Sequence, residues 1–265
     1  MSNVLLTEVN NRIGKLILNR PEKRNALSPE LLVQIHLKLK EFEASDAIRV
    51  VIITGAGDKA FSSGYDILSI PTDVNEEVKE ILKNNNPFEL AVNSIINFPY
   101  PVIAMINGYV FGAGLNLAMC CDMRIGIDTM KAGMPPAKLG VVYHPEGLKQ
   151  FIYVVGFAKT REIFLTAKTY QAKEALALGL VNYLVPKHEL ESFTLSFANE
   201  IAMNAPLSLK GLKSILNMLA KSDMDMTKYQ DNQAEQLIAD AFNSEDLKEG
   251  QMAFFEKRTP VFQGK

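Results

Sequence analysis

The chain has 265 residues and a mass of 29.4 kDa, which is enough to bury a substantial core in one large domain or in a domain with an appendage. Hydrophobic residues make up 48% and charged residues 22%, values typical of a soluble globular protein and not of a disordered chain. The formal net charge of -2 provides no surplus of Lys and Arg for a phosphate backbone, so we expect no nucleic-acid partner.

Cysteines, histidines and apolar runs bear on the compartment and on metals. Cys120 and Cys121 are adjacent inside a predicted helix, where their side chains diverge, so we expect no disulfide between them and a reducing compartment. The chain starts without a basic segment followed by a long apolar run, and no segment reaches the ~18 apolar residues of a membrane span. We therefore expect a cytoplasmic protein with no membrane partner. The three histidines are far apart in sequence, so we also expect no metal site.

Strands and helices alternate from the start of the chain. Residues 15–19 (KLILN) have the pattern of a buried strand, and Ser28 followed by Pro29 predicts the start of a helix. Apolar residues at helical spacing follow, and residues 49–55 (RVVIITG) have the continuous apolar pattern of a strand buried on both faces. The sequence therefore predicts a β-α-β unit.

The alternation continues further along the chain. Residues 101–110 (PVIAMINGYV) predict another buried strand, and a glycine-rich turn and a helix precede a strand over 123–127 (MRIGI). After about residue 156 the pattern is mostly helical, with Ser244 at the start of the last helix. These observations predict an α/β fold with a mostly parallel sheet and a helical final third.

Two glycine-rich turns are candidates for binding an anion. The stretches GAGDKA and GAGLNL, which begin at residues 55 and 112, each lack the third glycine of a dinucleotide-binding motif. Glycine before a helix lets backbone N–H groups approach a bound oxygen, and free N–H groups of a first turn suit a developing oxyanion. FSSGYDI, which contains Tyr65, is another turn of this kind. If it is a neighbour of the GAGLNL turn, which contains Ala113, the N–H groups of Tyr65 and Ala113 are able to point at one carbonyl oxygen.

Several segments, in order and spacing, resemble the crotonase superfamily, also called the enoyl-CoA hydratase/isomerase family. They are RPEKRNALS, FSSGYDI, PVIAMINGYVFGAGLNLAMCCDMRI, LGLVNYLVP and EGQMAFFEKRTP. The resemblance implies a core of repeated β-β-α units, with an acyl-CoA-binding region over 1–200. It also implies a helical region over 201–265 for trimerisation and active-site closure. A homotrimer or a dimer of trimers is then expected, with a CoA thioester as substrate and no separate cofactor, because CoA is part of that substrate.

The resemblance also assigns roles to individual residues. It places the thioester oxygen between the backbone N–H groups of Tyr65 and Ala113. It places CoA against two turns and against the tail of a neighbouring subunit, with contacts from Lys23, Arg24, Ala26, Ser63, Phe254 and Lys257. The charged residues among these are equally typical of a solvated surface.

The sequence departs from the family pattern at two catalytic positions. Hydratases of this family hold and deprotonate a water molecule with two glutamates, while a proton is delivered to the α-carbon. Aligned without gaps, the first position holds Asn116 and the second holds Pro136. Asn does not titrate and Pro has no polar side chain, so we expect no efficient hydration.

Downstream of these positions the segment VVYHPEG contributes Tyr143, His144 and Glu146. LGVVY together with the GYDI turn resembles the methylmalonyl-CoA decarboxylase branch, in which a tyrosine orients the substrate carboxylate. That branch has a glutamate at the position of Asn116 and a hydroxyl residue at the position of Pro135. Loss of carbon dioxide from a malonyl-type thioester leaves an enolate and needs no general base. His144 is then a candidate proton donor to the enolate.

Other interpretations remain open. A double-bond isomerase needs one base, for which Glu146 is the candidate, although the same residue is an ordinary capping residue at the start of a helix. A member without catalytic activity that binds acyl-CoA or a protein partner is the other alternative, and the loss of both glutamates favours it. We expect the polar segment 71–90 to form a wall of the acyl pocket.

Overall fold

The computed structural model describes residues 4–66, 76–222, 235–236, 239–240 and 242–261. It divides into two units, one made of Met1–Ala132 with Tyr170–Met218 and the other of Gly133–Thr169 with Leu219–Lys265. The predicted boundary near residue 200, with its assigned roles in oligomerisation and closure, stays a prediction.

The first unit is organised around a six-stranded sheet with the strand order β1-β2-β3-β5-β7-β10. β1 pairs with β2 in antiparallel fashion, and the remaining neighbours are parallel. The prediction of a mostly parallel sheet is therefore confirmed. The strands of this sheet are β1 (Leu5–Asn10), β2 (Ile13–Leu18), β3 (Val50–Gly55), β5 (Val102–Ile106), β7 (Met123–Ile127) and β10 (Tyr183–Val185).

The predicted β-α-β unit is confirmed. Helix α1 (Pro29–Ser45) connects β2 to β3, and the Ser28 side chain caps it by accepting the N–H of Leu31 at 3.3 Å. Every residue of β3 is buried. Such burial explains the uninterrupted apolar run, because a strand of a parallel sheet has both faces covered.

The single strand predicted over 101–110 is wrong, because the chain changes sheets within it. β5 ends at Ile106, and β6 (Tyr109–Phe111) belongs to a second sheet with the order β4-β6-β8-β9. The Asn107 side chain donates to the carbonyl of Gly55 at 2.8 Å, and a Cβ at Gly108 would lie 2.3 Å from the carbonyl oxygen of Lys59. This close approach requires glycine at the crossing point. The other strands of the second sheet are β4 (Ala60–Ser62), β8 (Lys131–Gly133) and β9 (Thr169–Gln171).

Eight further helices are described. Helix α4 ends at Met119, so the prediction that Cys120 and Cys121 lie inside it is wrong, and both follow it as buried free thiols. None of the helices in the described ranges is both long and apolar enough to cross a membrane. The helices are α2 (Glu76–Asn84), α3 (Pro87–Asn97), α4 (Ala113–Met119), α5 (Pro145–Thr166), α6 (Ala172–Leu178), α7 (Leu190–Ala202), α8 (Pro206–Ser222) and α9 (Glu245–Glu256).

Helices α2 and α3 lie within the segment predicted to wall an acyl pocket, whose first residues, 71–75, are outside the described residues. The predicted role of this segment stays a prediction.

The second unit packs helix α9 against a short 3-10 helix, Pro136–Leu139. A Cβ at Gly140 would lie 2.8 Å from the carbonyl oxygen of Asp246, and one at Gly250 would lie 2.7 Å from the carbonyl group of Leu139. The two glycines therefore bring the backbones together. The Ser244 hydroxyl accepts the N–H of Leu247 at 3.1 Å, which confirms the predicted start of α9.

Candidate active site

The two glycine-rich turns predicted to cooperate lie side by side in the first unit. A Cβ at Gly64 would lie 3.6 Å from the amide nitrogen of Ala113, and a Cβ at Gly114 would lie 2.6 Å from the Cβ of Ser62. The Ser62 hydroxyl, which is fully buried, accepts the N–H of Gly64 at 3.2 Å. The turn after β4 and the turn before α4 therefore pack closely, with Gly64 against Gly112 and the Ser62 side chain against Gly114.

Hydrogen bonds on either side of Tyr65 determine the direction of its amide. Leu27 donates its N–H to the carbonyl of Gly64 at 2.8 Å and accepts the N–H of Asp66 at 3.0 Å. The peptide bond between Gly64 and Tyr65 is trans, as are the other peptide bonds of the described residues, so the N–H of Tyr65 points opposite to the Gly64 carbonyl and away from Leu27. Within the described residues, this N–H has no protein acceptor.

Ala113 contributes a second amide from the first residue of α4. The preceding Gly112 has φ 52° and ψ -129°, a conformation that residues with a Cβ avoid. Its carbonyl accepts the N–H of Asn116 at 3.0 Å, whereas the N–H of Ala113 has no acceptor in the described part of the chain. Two adjacent turns thus each present an unbonded amide, and a pair of such donors is what a developing oxyanion requires.

The predicted CoA-binding turn lies next to this pair. Ser63 donates its N–H to the carbonyl of Arg24 at 3.0 Å and its hydroxyl to the carbonyl of Lys23 at 3.3 Å. Ala26 is buried and donates to the carbonyl of Lys23 at 3.1 Å, while Lys23, Arg24 and Ser63 are exposed. The structure therefore brings these four residues together, and their contact with CoA stays a prediction.

Sequence reasoning missed the buried polar residues that join the predicted CoA-binding turn to the segments before and after β4. Arg20 donates to the Asp66 carboxylate and to the carbonyl of Ala26, both at 2.7 Å. Asn25 is fully buried and donates to the carbonyls of Ala56 and Ala60 at 3.0 and 2.8 Å. All three polar side chains belong to motifs that were identified, but a single sequence does not show which polar residues of a motif are buried.

Tyr143, His144 and Glu146 belong to the second unit, where they surround the start of α5. The Tyr143 ring lies 5.2 Å from the Phe164 ring, centroid to centroid. His144 is the N-cap of α5, and its Nδ1 accepts the N–H of Glu146 at 3.4 Å. The exposed Glu146 carboxylate pairs with Lys149 at 2.8 Å. The helix cap expected at Glu146 is therefore provided by His144, whose position just before Pro145 suits an N-cap.

Phe254 and Lys257 are also in the second unit, near the end of α9. The Phe254 side chain is exposed, with its ring centroid 6.1 Å from that of Phe255. Lys257 follows the helix with φ 54° and donates its N–H to the carbonyl of Phe254 at 3.4 Å. Their predicted contact with the CoA of a neighbouring subunit is untested.

Neither of the two positions expected to hold a glutamate in hydratases of this family has a titratable side chain. Asn116 is buried, with its amide nitrogen 3.8 Å from the Cys120 sulfur, and Pro136 is buried at the start of the 3-10 helix.

Burial raises the pKa of Cys121 to about 12 and the pKa of Cys120 well above its ordinary value. Both thiols therefore stay protonated at neutral pH and are poor nucleophiles. Among the described residues, no three His, Cys, Asp or Glu side chains are grouped as metal ligands.

Comparison with known proteins identifies the family of the chain. The family model described as enoyl-CoA hydratase/isomerase matches residues 8–265. The chain belongs to this family. It is 32% identical over 263 residues to the short-chain-enoyl-CoA hydratase of Clostridium acetobutylicum, covering 97% of this chain and 96% of that one. It is 31% identical over 254 residues to the methylmalonyl-CoA decarboxylase of Escherichia coli, covering 96% and 95%.

A solved structure is also similar over the whole chain. The crystal structure of a methylmalonyl-CoA decarboxylase complexed with 2S-carboxypropyl-CoA has a TM-score of 0.89 and 30% identity, covering 100% of both chains. The family and fold inferred from the motifs are therefore confirmed. Because relatives of almost equal identity have different reactions, the reaction of this member has to be argued from its own residues.

Proposed function

We propose that this member of the enoyl-CoA hydratase/isomerase family decarboxylates a malonyl-type CoA ester that is similar to methylmalonyl-CoA. The amides of Tyr65 and Ala113 bind the thioester oxygen. The observation that supports this proposal most directly is the pair of unbonded amides in two adjacent turns, where Gly64 lies against Ala113 and Gly114 lies against Ser62.

The proposed chemistry matches the residues that the chain has. Loss of carbon dioxide moves the electrons of the C–C bond into the thioester, so the negative charge develops on the carbonyl oxygen between the two amides. No side chain has to remove a proton. One oxyanion donor is typically worth about a hundredfold or more in rate, so two backbone donors account for much of the catalysis without a glutamate at the position of Asn116.

Two residues of the second unit have proposed roles in the remaining steps. Tyr143 orients the substrate carboxylate, and His144 donates a proton to the α-carbon after carbon dioxide has left. In the structure, Nδ1 of His144 accepts a hydrogen bond from Glu146, so a neutral ring carries its proton on Nε2. This tautomer donates a hydrogen bond from Nε2. To deliver a proton, the ring first has to take up a second proton at Nδ1, which replaces the bond from Glu146.

The other reactions named among the relatives are less well supported. Hydration needs a base and an acid, and neither Asn116 nor Pro136 provides one. Isomerisation needs one base, and the candidate, Glu146, is an exposed carboxylate that pairs with Lys149 as surface residues of a helix commonly do. We further propose that the protein acts as a homotrimer or a dimer of trimers, with no cofactor other than the CoA that its substrate carries.

Mass spectrometry of three incubations in heavy water tests the proposal. The purified protein is mixed separately with methylmalonyl-CoA, crotonyl-CoA and a 3-enoyl-CoA, and each reaction is repeated with Tyr143→Phe. Tyr183→Phe is the matched control, because Tyr183 is 42% exposed and lies in β10, away from the glycine turns in sequence. We expect loss of carbon dioxide from methylmalonyl-CoA, slowed by Tyr143→Phe and unchanged by Tyr183→Phe.

Each other outcome selects a different function. Double-bond migration or deuterium uptake on the 3-enoyl-CoA without decarboxylation indicates an isomerase and moves the base to Glu146. Efficient addition of water to crotonyl-CoA refutes the argument from Asn116 and Pro136. Binding of all three thioesters with no turnover indicates a member that binds acyl-CoA without catalysis.

A further inference from the structure

Arg20 lies just after β2, and its guanidinium connects the predicted CoA-binding turn to the turn that contains Tyr65. One nitrogen donates to the carbonyl of Ala26 and the other to the Asp66 carboxylate, both at 2.7 Å. Ala26 belongs to the predicted CoA-binding turn, whereas Asp66 immediately follows Tyr65. The planar fork of arginine binds two acceptors in fixed directions, which a lysine ammonium does not do.

The ion pair is shielded from water. The side chains of Arg20 and Asp66 are 11% and 9% exposed, whereas Lys23, which also approaches Asp66 at 3.7 Å, is 55% exposed. A shielded, hydrogen-bonded pair constrains both partners, whereas an exposed lysine is a weak and mobile partner. Of these two cations, Arg20 therefore constrains Asp66 more strongly.

Fixing Asp66 also fixes the amide of Tyr65. Backbone hydrogen bonds join Leu27 to Gly64 and to Asp66, and the N–H of Tyr65 faces away from Leu27. If Asp66 moves, the bond from its N–H to Leu27 weakens, and the peptide before Tyr65 gains freedom to rotate. A shift of about 1 Å in a catalytic donor is able to cost about a hundredfold in rate.

We infer that Arg20 is a positioning residue for the Tyr65 oxyanion donor, acting through Asp66. The inference rests on the proposed function of the Tyr65 amide as a donor to the thioester carbonyl. It does not require that the reaction be decarboxylation, because any family reaction through an enolate uses the same donor.

The frequency of the bound thioester carbonyl reports this donor without turnover. Propionyl-CoA with carbon-13 at the carbonyl is bound to the full-length protein, and the isotope-edited infrared difference spectrum gives the carbonyl stretch. Hydrogen bonds from Tyr65 and Ala113 lower this frequency. In Arg20→Met we expect the downshift to shrink, and the affinity for free CoA, which has no thioester carbonyl, measures separately any change in the turn of Ala26. In Arg12→Met, at the exposed other end of β2, we expect the wild-type downshift.

Turnover and chemical rescue complete the test. On whichever of the three thioesters the protein turns over, we expect kcat to fall about tenfold to a hundredfold in Arg20→Met, with a smaller change in KM, because the lost donor acts mainly in the transition state. Methylguanidine added to Arg20→Met is expected to restore part of the downshift. Asp66→Asn, which keeps the side-chain size, is expected to reproduce the loss if Arg20→Met is too unstable to purify.

The outcomes separate this inference from the proposed function. An equal downshift in wild type, Arg20→Met and Asp66→Asn overturns the positioning role while the oxyanion site stands. The absence of any downshift in the wild type overturns both. A downshift that depends on Arg20 in a protein that does not decarboxylate supports the inference and refutes only the proposed reaction.

Discussion

Replacing Gly114 by alanine is the most direct test of how the two turns pack. The new Cβ would lie 2.6 Å from Cβ, 2.7 Å from Oγ and 2.9 Å from the carbonyl oxygen of Ser62. Ordinary contacts between carbon atoms are about 3.5–4.0 Å, so one turn has to move by about 1 Å. Ser62 also accepts the N–H of Gly64, so its displacement affects the turn that carries Tyr65 as well as the helix that begins at Ala113.

The magnitude of the Gly114→Ala effect follows from this overlap. Overpacking a buried site costs about 1–3 kcal/mol of unfolding free energy, and a donor misplaced by about 1 Å costs about a hundredfold in kcat. Gly211→Ala is the matched control, because a Cβ there meets nothing within 4 Å in the middle of α8. It is expected to raise the unfolding free energy by about 0.5–1 kcal/mol, as alanine usually does in a helix, and to leave kcat unchanged.

Urea unfolding and steady-state kinetics measure both effects. The double variant Ser62→Gly with Gly114→Ala removes two of the three close contacts, so we expect it to be less destabilised than the sum of the single changes. If Gly114→Ala behaves like Gly211→Ala in both assays, the turns are not packed as described and the argument for a shared oxyanion site fails.

Three further changes test other parts of the structure. Glu146→Gln is expected to change the unfolding free energy by less than about 0.5 kcal/mol and to leave decarboxylation unchanged, so a large loss of kcat would assign Glu146 a catalytic role. Lys213→Met removes the 2.7 Å partner of Asp122 from a buried position and should cost about 3 kcal/mol in urea unfolding, whereas Lys210→Met, at an exposed pair, should cost clearly less. Burial raises the pKa of Cys121 from 9.0 to about 12, so its contribution to stability is complete below about pH 9 and is lost as the pH rises toward 12. Urea unfolding at several alkaline pH values, with Cys121→Ala as the reference without this thiol, would contradict that sign if both proteins lost stability equally.

The fold was predictable where a pattern depends on local structure. The β2-α1-β3 unit followed from Ser28, Pro29 and a continuous apolar strand, because capping and burial are visible in a short window. The switch between β5 and β6 was not predicted, because the apolar pattern continues through Asn107 and Gly108. The Asn-Gly pair was the available turn signal. What decides the switch is the approach of a distant backbone at Lys59, which no local pattern contains.

The candidate site divides in the same way. Gly112 and Gly114 indicated a permissive backbone at the start of a helix, and the structure confirms a conformation at Gly112 that needs glycine. The role of Ser62 between the turns, and the Arg20–Asp66 pair, depend on which residues meet across the chain. Their types are ordinary for surface turns, so only burial distinguishes them from solvated residues.

The residues around the first turns of α4 explain why overall similarity leaves the reaction open. Asn116 does not titrate, and the neighbouring thiols Cys120 and Cys121 stay protonated because burial raises their pKa. The chemistry that this helix still offers is therefore that of backbone amides, which any residue other than proline would provide at position 113. A hydratase and a decarboxylase are 32% and 31% identical to this chain, so overall identity does not separate the two reactions. The reaction is decided by the few side chains that move protons or hold a carboxylate, so substitutions at Tyr143, His144 and Glu146 are more informative than any further measure of similarity.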